Sequence, residues 1–209
     1  PALNLPAVLA DQRVSPLDGA NMNRAFPGDS AGGPTAMIAD FIENKILPHS
    51  DYALDIHTGG SMCEFFPCGY IYKQGTRSHM EAKLSAAHAF GAPVTVVVSG
   101  TTSAGSLSAA CERHDVIMVA SELGGGRVRK STVAMATTGV KNVLRHIGIL
   151  AGDTQPTRTT YISTPSGDNF VMSPRDGLFE PLIEIGQNIQ REDVVGRIHA
   201  VNDLEQVAL

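Results

Sequence analysis

Asp55-Ile56-His57 closes a short apolar run, "DYALDIHTGG", and two glycines follow at once. Alternation along a strand puts Asp55 and His57 on one face. There the imidazole can ligate a metal while the carboxylate orients neighbouring groups from behind it. Glu122 closes a second apolar run, "VIMVAS", directly before "LGGG". It is a second ionisable group at an equivalent strand end, where open α/β sheets bind their ligands. The third feature is "SPLDGANMNRAFPGD", a loop rich in Gly, Pro and Asp that carries Asn23-Arg24. A guanidinium fork beside an amide suits a substrate carboxylate, both of whose oxygens it can bind. Against these readings stand plainer ones: a hydrogen-bonded core histidine, a carboxylate at a helix start and a surface loop with a capping Asn.

The elements that would position these groups alternate between strand and helix. Residues 34–47 place Met37, Ile38, Phe41, Ile42 and Ile46 on one helical face, with Pro34 in the first turn and Pro48 as a stop. A strand over 52–56 follows. "MCEFFPCGYIY" (62–72) reads as a buried strand and turn, with a contribution to a pocket as the alternative. A helix over 78–90 ends at Gly91, a β-branched strand covers 94–99, a helix covers 103–114 and a strand covers 116–121. Residues 131–150 supply a last helix despite Gly139. This alternation predicts an α/β core with a mostly parallel sheet flanked by helices. The opening "PALNLPAVLADQ" reads as the end of a strand that begins upstream, so the N-terminal part of the fold is expected before Pro1.

The pattern changes near Asp153. "TTYIST", "NFVMSP", "GLFEPLIEIG" and "NIQREDVVGRIHAV" read as short strands between Gly and Pro turns, so residues 154–209 are expected to form a small all-β domain after an α/β domain over 1–153. Its eight acidic residues against four basic ones hold most of the chain's net charge of −5. That charge excludes a nucleic-acid binder, since no basic stripe can release counterions. No apolar run reaches the ~18–20 residues that span a bilayer, so no membrane partner is expected. Cys63, Cys68 and Cys111 are too few for a disulfide scaffold. They read as buried free thiols of a reducing, cytoplasmic compartment. No Gly-x-Ser-x-Gly and no phosphate-binding glycine loop occurs, which removes the serine-hydrolase and nucleotide-binding classes.

Taken in order, "NMNRAFPG", "DIHTGG" and "SELGGG" resemble the succinylglutamate desuccinylase/aspartoacylase family of the zinc carboxypeptidase superfamily. Within it the match is nearest to the bacterial N-acetyl-diaminobutyrate deacetylases of ectoine utilisation. The resemblance implies a zinc-dependent hydrolase that cleaves the amide bond of a small N-acyl amino acid. It implies His57 as a zinc ligand, Glu122 as the general base, and Asn23 and Arg24 as the grip on the substrate carboxylate. Arg13 would be the arginine that polarises the scissile carbonyl. It also implies a C-terminal barrel-sandwich segment, which would shape the active-site entrance or a homo-oligomer interface. That segment has no lysine, so it carries no attached prosthetic group. The family's other two zinc ligands form a His-x-x-Glu pair, and none of the seven histidines has a Glu three residues later. Both are therefore expected upstream of Pro1. The alternative is a catalytically inactive binder of acylated amino acids that uses the Arg24 clamp.

Overall fold

The computed structural model describes residues 3–61, 63–100, 102–126, 128–155, 158–164, 170–201 and 203–208. Contacts divide the chain into two compact units, Pro1–Thr164 and Pro165–Leu209. In the first, α1 (Leu5–Leu9) and α2 (Pro34–Phe41) precede β1 (Tyr52–His57) and β2 (Cys68–Tyr72). Then come α3 (Arg77–Phe90), β3 (Val94–Val98), α4 (Leu107–Arg113), β4 (Ile117–Glu122), α5 (Lys130–His146) and β5 (Thr160–Thr164). The five strands form one sheet in the order β1-β4-β2-β3-β5. Neighbours run parallel except β4 and β2, which are antiparallel. The expected mostly parallel sheet is thus two parallel blocks placed back to back.

Each helix has a local cause. Thr76 caps α3 by accepting from the His79 N–H, and Gly91 ends it in the left-handed region at φ 75°. Ser106 caps α4 by accepting from the Ala109 N–H. Gly139 lets α5 lie against α3, because a Cβ there would sit 2.6 Å from the Phe90 ring.

The sheet separates two cores. On one face α3 and α5 pack Ala86, Ala87, Phe90 and Val143 against Ile71 and Val119. On the other, α2 and α4 pack Ala39, Ala110 and Cys111 against Met118, with Phe26 and Ile42. Chain alternation puts Asp55, His57, Ala120, Glu122, Tyr70 and Tyr72 on this second face. The two faces therefore do different things: one carries the α3–α5 core, and the other is left open at one end.

Several sequence expectations are corrected. Among the described residues the opening segment is not a strand: Asn4 accepts from the Ala7 N–H, Pro6 fits the first turn, and α1 results. Residues 34–47 are not one regular helix. The chain passes through a wide turn at Ile42–Ile46 and a tight turn at Leu47–His49. The regular part, Pro34–Phe41, turns Thr35 and Ala39 inward, while Met37 and Phe41 on its opposite side are 50% and 57% exposed. Cys68 and Cys111 are buried and free as expected, but Cys63 is exposed, in the loop after β1. "TTYIST" becomes β5 and hydrogen-bonds to β3 in the large sheet, so the first unit runs past Asp153 to Thr164. No strand forms over 170–174, and residue 169 of "NFVMSP" lies outside the described residues.

The second unit holds an antiparallel sheet of β6 (Leu178–Pro181), β7 (Gly196–Ala200) and β8 (Asp203–Ala208) in that order. Glu180 of β6 accepts from the His199 ring on β7 at 2.7 Å.

A buried carboxylate joins the elements of the open face. Glu43, in the wide turn, receives Arg113 Nε at 2.7 Å and Nη2 at 2.8 Å, and His114 lies 3.4 Å away. The Arg113 hydrogen bonds hold the Glu43 carboxyl below its ordinary value of 4.5. A depressed folded-state value means that the stabilisation is complete above the ordinary value. It is lost as pH falls through the folded one. The melting temperature of the wild type should therefore fall more steeply than that of Glu43→Gln below about pH 4.5, and thermal melts from neutral to acid pH check this.

Candidate active site

The Asn23-Arg24 turn is built by local hydrogen bonds. Asp18 accepts from the Thr35 N–H at 2.8 Å and from its hydroxyl at 3.0 Å, tying the loop to the start of α2. Asn21 accepts from the Asn23 N–H at 3.0 Å and sets the short turn Met22–Arg24. Phe26 N–H donates to the Gly105 carbonyl at 3.1 Å, and the Asn23 amide oxygen accepts from the Leu107 N–H at 2.8 Å. The loop is thus laid along the start of α4. Gly105 has no room for a side chain, since a Cβ would lie 2.5 Å from the Arg24 carbonyl. Gly105→Ala should lower stability by about 1–3 kcal/mol. It should also raise KM severalfold by displacing Arg24, as thermal melts and steady-state kinetics would register.

Arg13, Asn23, Arg24, Asp55, His57 and Glu122 all line one cavity of about 420 Å³. Its remaining walls include Phe65, Tyr70 and Tyr72, with Ser103, Ser106 and Ser108 near the start of α4. His57 and Glu122 are register partners on neighbouring parallel strands. Strand pairing alone therefore brings the two strand-end groups of the sequence together.

His57 Nε2 lies 2.6 Å from Asp55 Oδ2. An ionised carboxylate only accepts, so the ring proton is on Nε2 and points at Asp55. Nδ1 then carries the lone pair. The Asn23 amide nitrogen also lies near, 3.3 Å from Nε2. With Nε2 already protonated, the Asn23 N–H groups have no acceptor there and are available to a ligand. The Asp55 hydrogen bond holds the His57 imidazole above its ordinary pKa against the opposing effect of burial. The negative charges of Asp55 and Glu122 add to the rise, and Arg13 opposes it.

Glu122 is half-buried, and its Oε2 has no hydrogen-bond partner among the described residues. Burial raises its carboxyl above the ordinary range. His57 pulls it down, Asp55 pushes it up and Arg13 pulls it down. A desolvated, singly unpaired carboxylate of this kind can take up and release a proton. The neighbouring thiol is not a competing nucleophile, because burial pushes Cys68 up to about 11. Cys111 is likewise pushed up to about 12.

As for metal, among the described residues no three His, Cys, Asp or Glu side chains converge on one point. His57 nevertheless suits one corner of a metal site. Its Nε2–H is engaged by a carboxylate and its Nδ1 has no partner among the described residues, the arrangement that fixes a ligating histidine.

The catalytic-domain profile of the succinylglutamate desuccinylase/aspartoacylase family matches residues 1–147. The chain belongs to this family. Among curated proteins it is 33% identical over 202 residues to the N-alpha-acetyl-L-2,4-diaminobutyric acid deacetylase of Halomonas elongata, covering 95% of this chain and 59% of that protein. A succinylglutamate desuccinylase/aspartoacylase from Rhodobacter sphaeroides superposes with a TM-score of 0.90 at 34% identity, over 98% of this chain and 63% of that one. The product-bound ectoine utilisation protein EutE (DoeB) from Ruegeria pomeroyi gives a TM-score of 0.92 at 36% identity, over 98% and 62%. The chain thus spans about three fifths of the length of these relatives.

The walls that the sequence motifs did not single out are aromatic and hydroxylic. Tyr70 and Tyr72 come from "CGYIY", whose period of two faces both toward the cavity. Residue 62 of the longer stretch quoted above and Thr101 lie outside the described residues. Among the described residues no helix is long and apolar enough to cross a membrane.

Proposed function

We propose that this chain carries the substrate-binding and proton-transfer groups of a zinc-dependent deacylase that cleaves the amide bond of an N-acyl amino acid. The observation that carries the reading is the meeting of an arginine–asparagine pair, a second arginine, a carboxylate-oriented histidine and a partly desolvated glutamate on one cavity, in a chain of this family. The N-acetylated diamino acid of the Halomonas relative is the substrate we favour.

Arg24 and Asn23 hold the substrate carboxylate through charge-assisted hydrogen bonds, which fixes the scissile amide over β1 and β4. Arg13, whose charge reaches both His57 and Glu122, faces the developing negative charge on the amide oxygen. Glu122 takes a proton from the attacking water and delivers it to the departing amine. His57 would be one zinc ligand, oriented by Asp55, with further ligands beyond those among the described residues. When bound, zinc supplies a Lewis acid and lowers the pKa of water to about 7.

The test is amine release from N-acetyl-diaminobutyrate, N-acetylaspartate and N-succinylglutamate, with added zinc and after chelation. Zinc-dependent release, fastest with the diamino acid, is expected. Binding of these compounds without release would sink the enzyme reading and favour the binding-only alternative, in which Arg24 still grips the carboxylate.

A further inference from the structure

The two tyrosines of β2 stand at different places along the cavity. Tyr70 is the register partner of Ala120, and Cys68, two residues earlier, is the partner of Glu122. Tyr72 is two residues further from that end, roughly 7 Å along the strand. Both line the cavity, both are half-buried, and neither phenolic oxygen makes a hydrogen bond among the described residues. A half-buried hydroxyl that faces a polar cavity with no protein partner is offered to a ligand.

Their electrical surroundings differ accordingly. Burial pushes Tyr70 up to about 12, with Cys68 and Glu122 adding to the rise. Tyr72 is also raised by burial, but the next influence on it is the positive charge of Arg24, which pulls it down. Glu122 and Asp55 raise Tyr72 further, so both tyrosines feel the carboxylates, while Arg24 acts on Tyr72 and is not among the influences on Tyr70. Both phenols keep their protons at neutral pH and can donate.

We propose that Tyr72 is a substrate-binding residue whose phenolic O–H, together with the Arg24 guanidinium, takes the carboxylate of the N-acyl amino acid. This rests on the deacylase reading for the identity of the ligand. The geometry suits the task. Arg24 is on an exposed turn above the cavity and its Nη1 already donates to the Asn23 carbonyl at 2.5 Å. Arg24 and Asn23 both reach the carboxylate from the same short turn, which leaves its far side without a donor. A donor rising from the sheet floor on that side fixes its plane, and hence the direction of the amide beyond it. Tyr72 is held firmly for this purpose, since its carbonyl accepts from the buried ammonium of Lys83 at 3.5 Å.

The experiment compares Tyr72→Phe with the parent protein, with hydrolysis blocked by Glu122→Gln in both. Calorimetry measures affinity for N-acetyl-diaminobutyrate and for its decarboxylated analogue. Loss of one hydrogen bond to a charged group should weaken the carboxylate ligand about tenfold or more and leave the analogue unchanged. In the Glu122 background, Tyr72→Phe should raise KM by a similar factor with little change in kcat. Equal weakening of both ligands would mean that Tyr72 merely packs, and no weakening of either would mean no contact. Each result overturns the proposal, as does failure of the parent protein to bind the acylated amino acid. A selective loss of carboxylate affinity, with no amine released by the protein that keeps Glu122, would instead overturn the deacylase reading and leave the clamp standing.

Discussion

Glu122→Gln should lower kcat about a thousandfold while substrate affinity changes little. The amide has nearly the shape of the carboxylate, so packing at the end of β4 is kept and only proton transfer is lost. Two features make Glu122 the residue to remove. It is the register partner of His57, and its Oε2 is buried without a hydrogen-bond partner among the described residues. A carboxylate serving only as a structural anchor would have both oxygens satisfied, as Glu43 has by Arg113. Single-turnover kinetics with N-acetyl-diaminobutyrate, beside calorimetric binding, separates the two effects. A loss in affinity without a loss in turnover rate would reassign Glu122 to substrate binding. Arg24→Ala should give the reverse pattern, a raised KM at nearly constant kcat, because its interaction is made in ground and transition states alike.

How much of this was legible beforehand depended on whether the controlling interaction was local. Asp55 and His57 share a face because strands alternate, and the quoted ten residues suffice to read it. Caps such as Thr76 and Ser106 act within three residues of themselves, yet the expected helix starts at 78 and 103 differ from the capped starts at Arg77 and Leu107, because several neighbouring Ser and Thr residues offer the same local signal. The reversal of β2 was not readable, because nothing within Cys68–Tyr72 records which neighbour it will meet or in which direction. The same limit hid Tyr72: its alternation was visible, but its neighbourhood with Arg24 is made by a loop nearly fifty residues earlier in the chain. The apolar residues over 34–47 do not mark the buried face of α2: within Pro34–Phe41 the helix turns Thr35 and Ala39 inward and leaves Met37 and Phe41 on its outer side, and which side meets the sheet is decided by contacts outside those residues. Composition changes at Asp153, yet β5 follows that change and still pairs with β3. Pairing partners rather than local polarity decide where a unit ends.

The second large effect is on stability, at a charge that the chemistry does not use. Lys83 of α3 is 1% exposed, and its ammonium meets the Glu112 carboxylate of α4 together with the carbonyls of Gln74 at 3.2 Å and Tyr72 at 3.5 Å. Lys83 thereby ties helices from the two sides of the sheet to the end of β2. A buried pair is weak evidence of net stabilisation, since desolvation of two ions offsets most of their attraction. Breaking it from one side is a different matter. Glu112→Gln leaves an ammonium in the interior with neutral acceptors only, at a cost of about 3–5 kcal/mol. For a chain of this size that is a fall in melting temperature of roughly 10 °C. Lys83→Met strips the donor from both carbonyls as well, and should cost at least as much. Combining it with Glu112→Leu removes the stranded charge, so the double variant should be more stable than either single variant that leaves one ion behind. Thermal and denaturant melts of the three proteins decide the matter. If Glu112→Gln costs under about 1 kcal/mol, Lys83 gains no appreciable support from Glu112 and the carbonyls alone hold it. If the double variant is the worst of the three, the pair is net stabilising, and the tie between β2 and the two helices depends on charge rather than on packing.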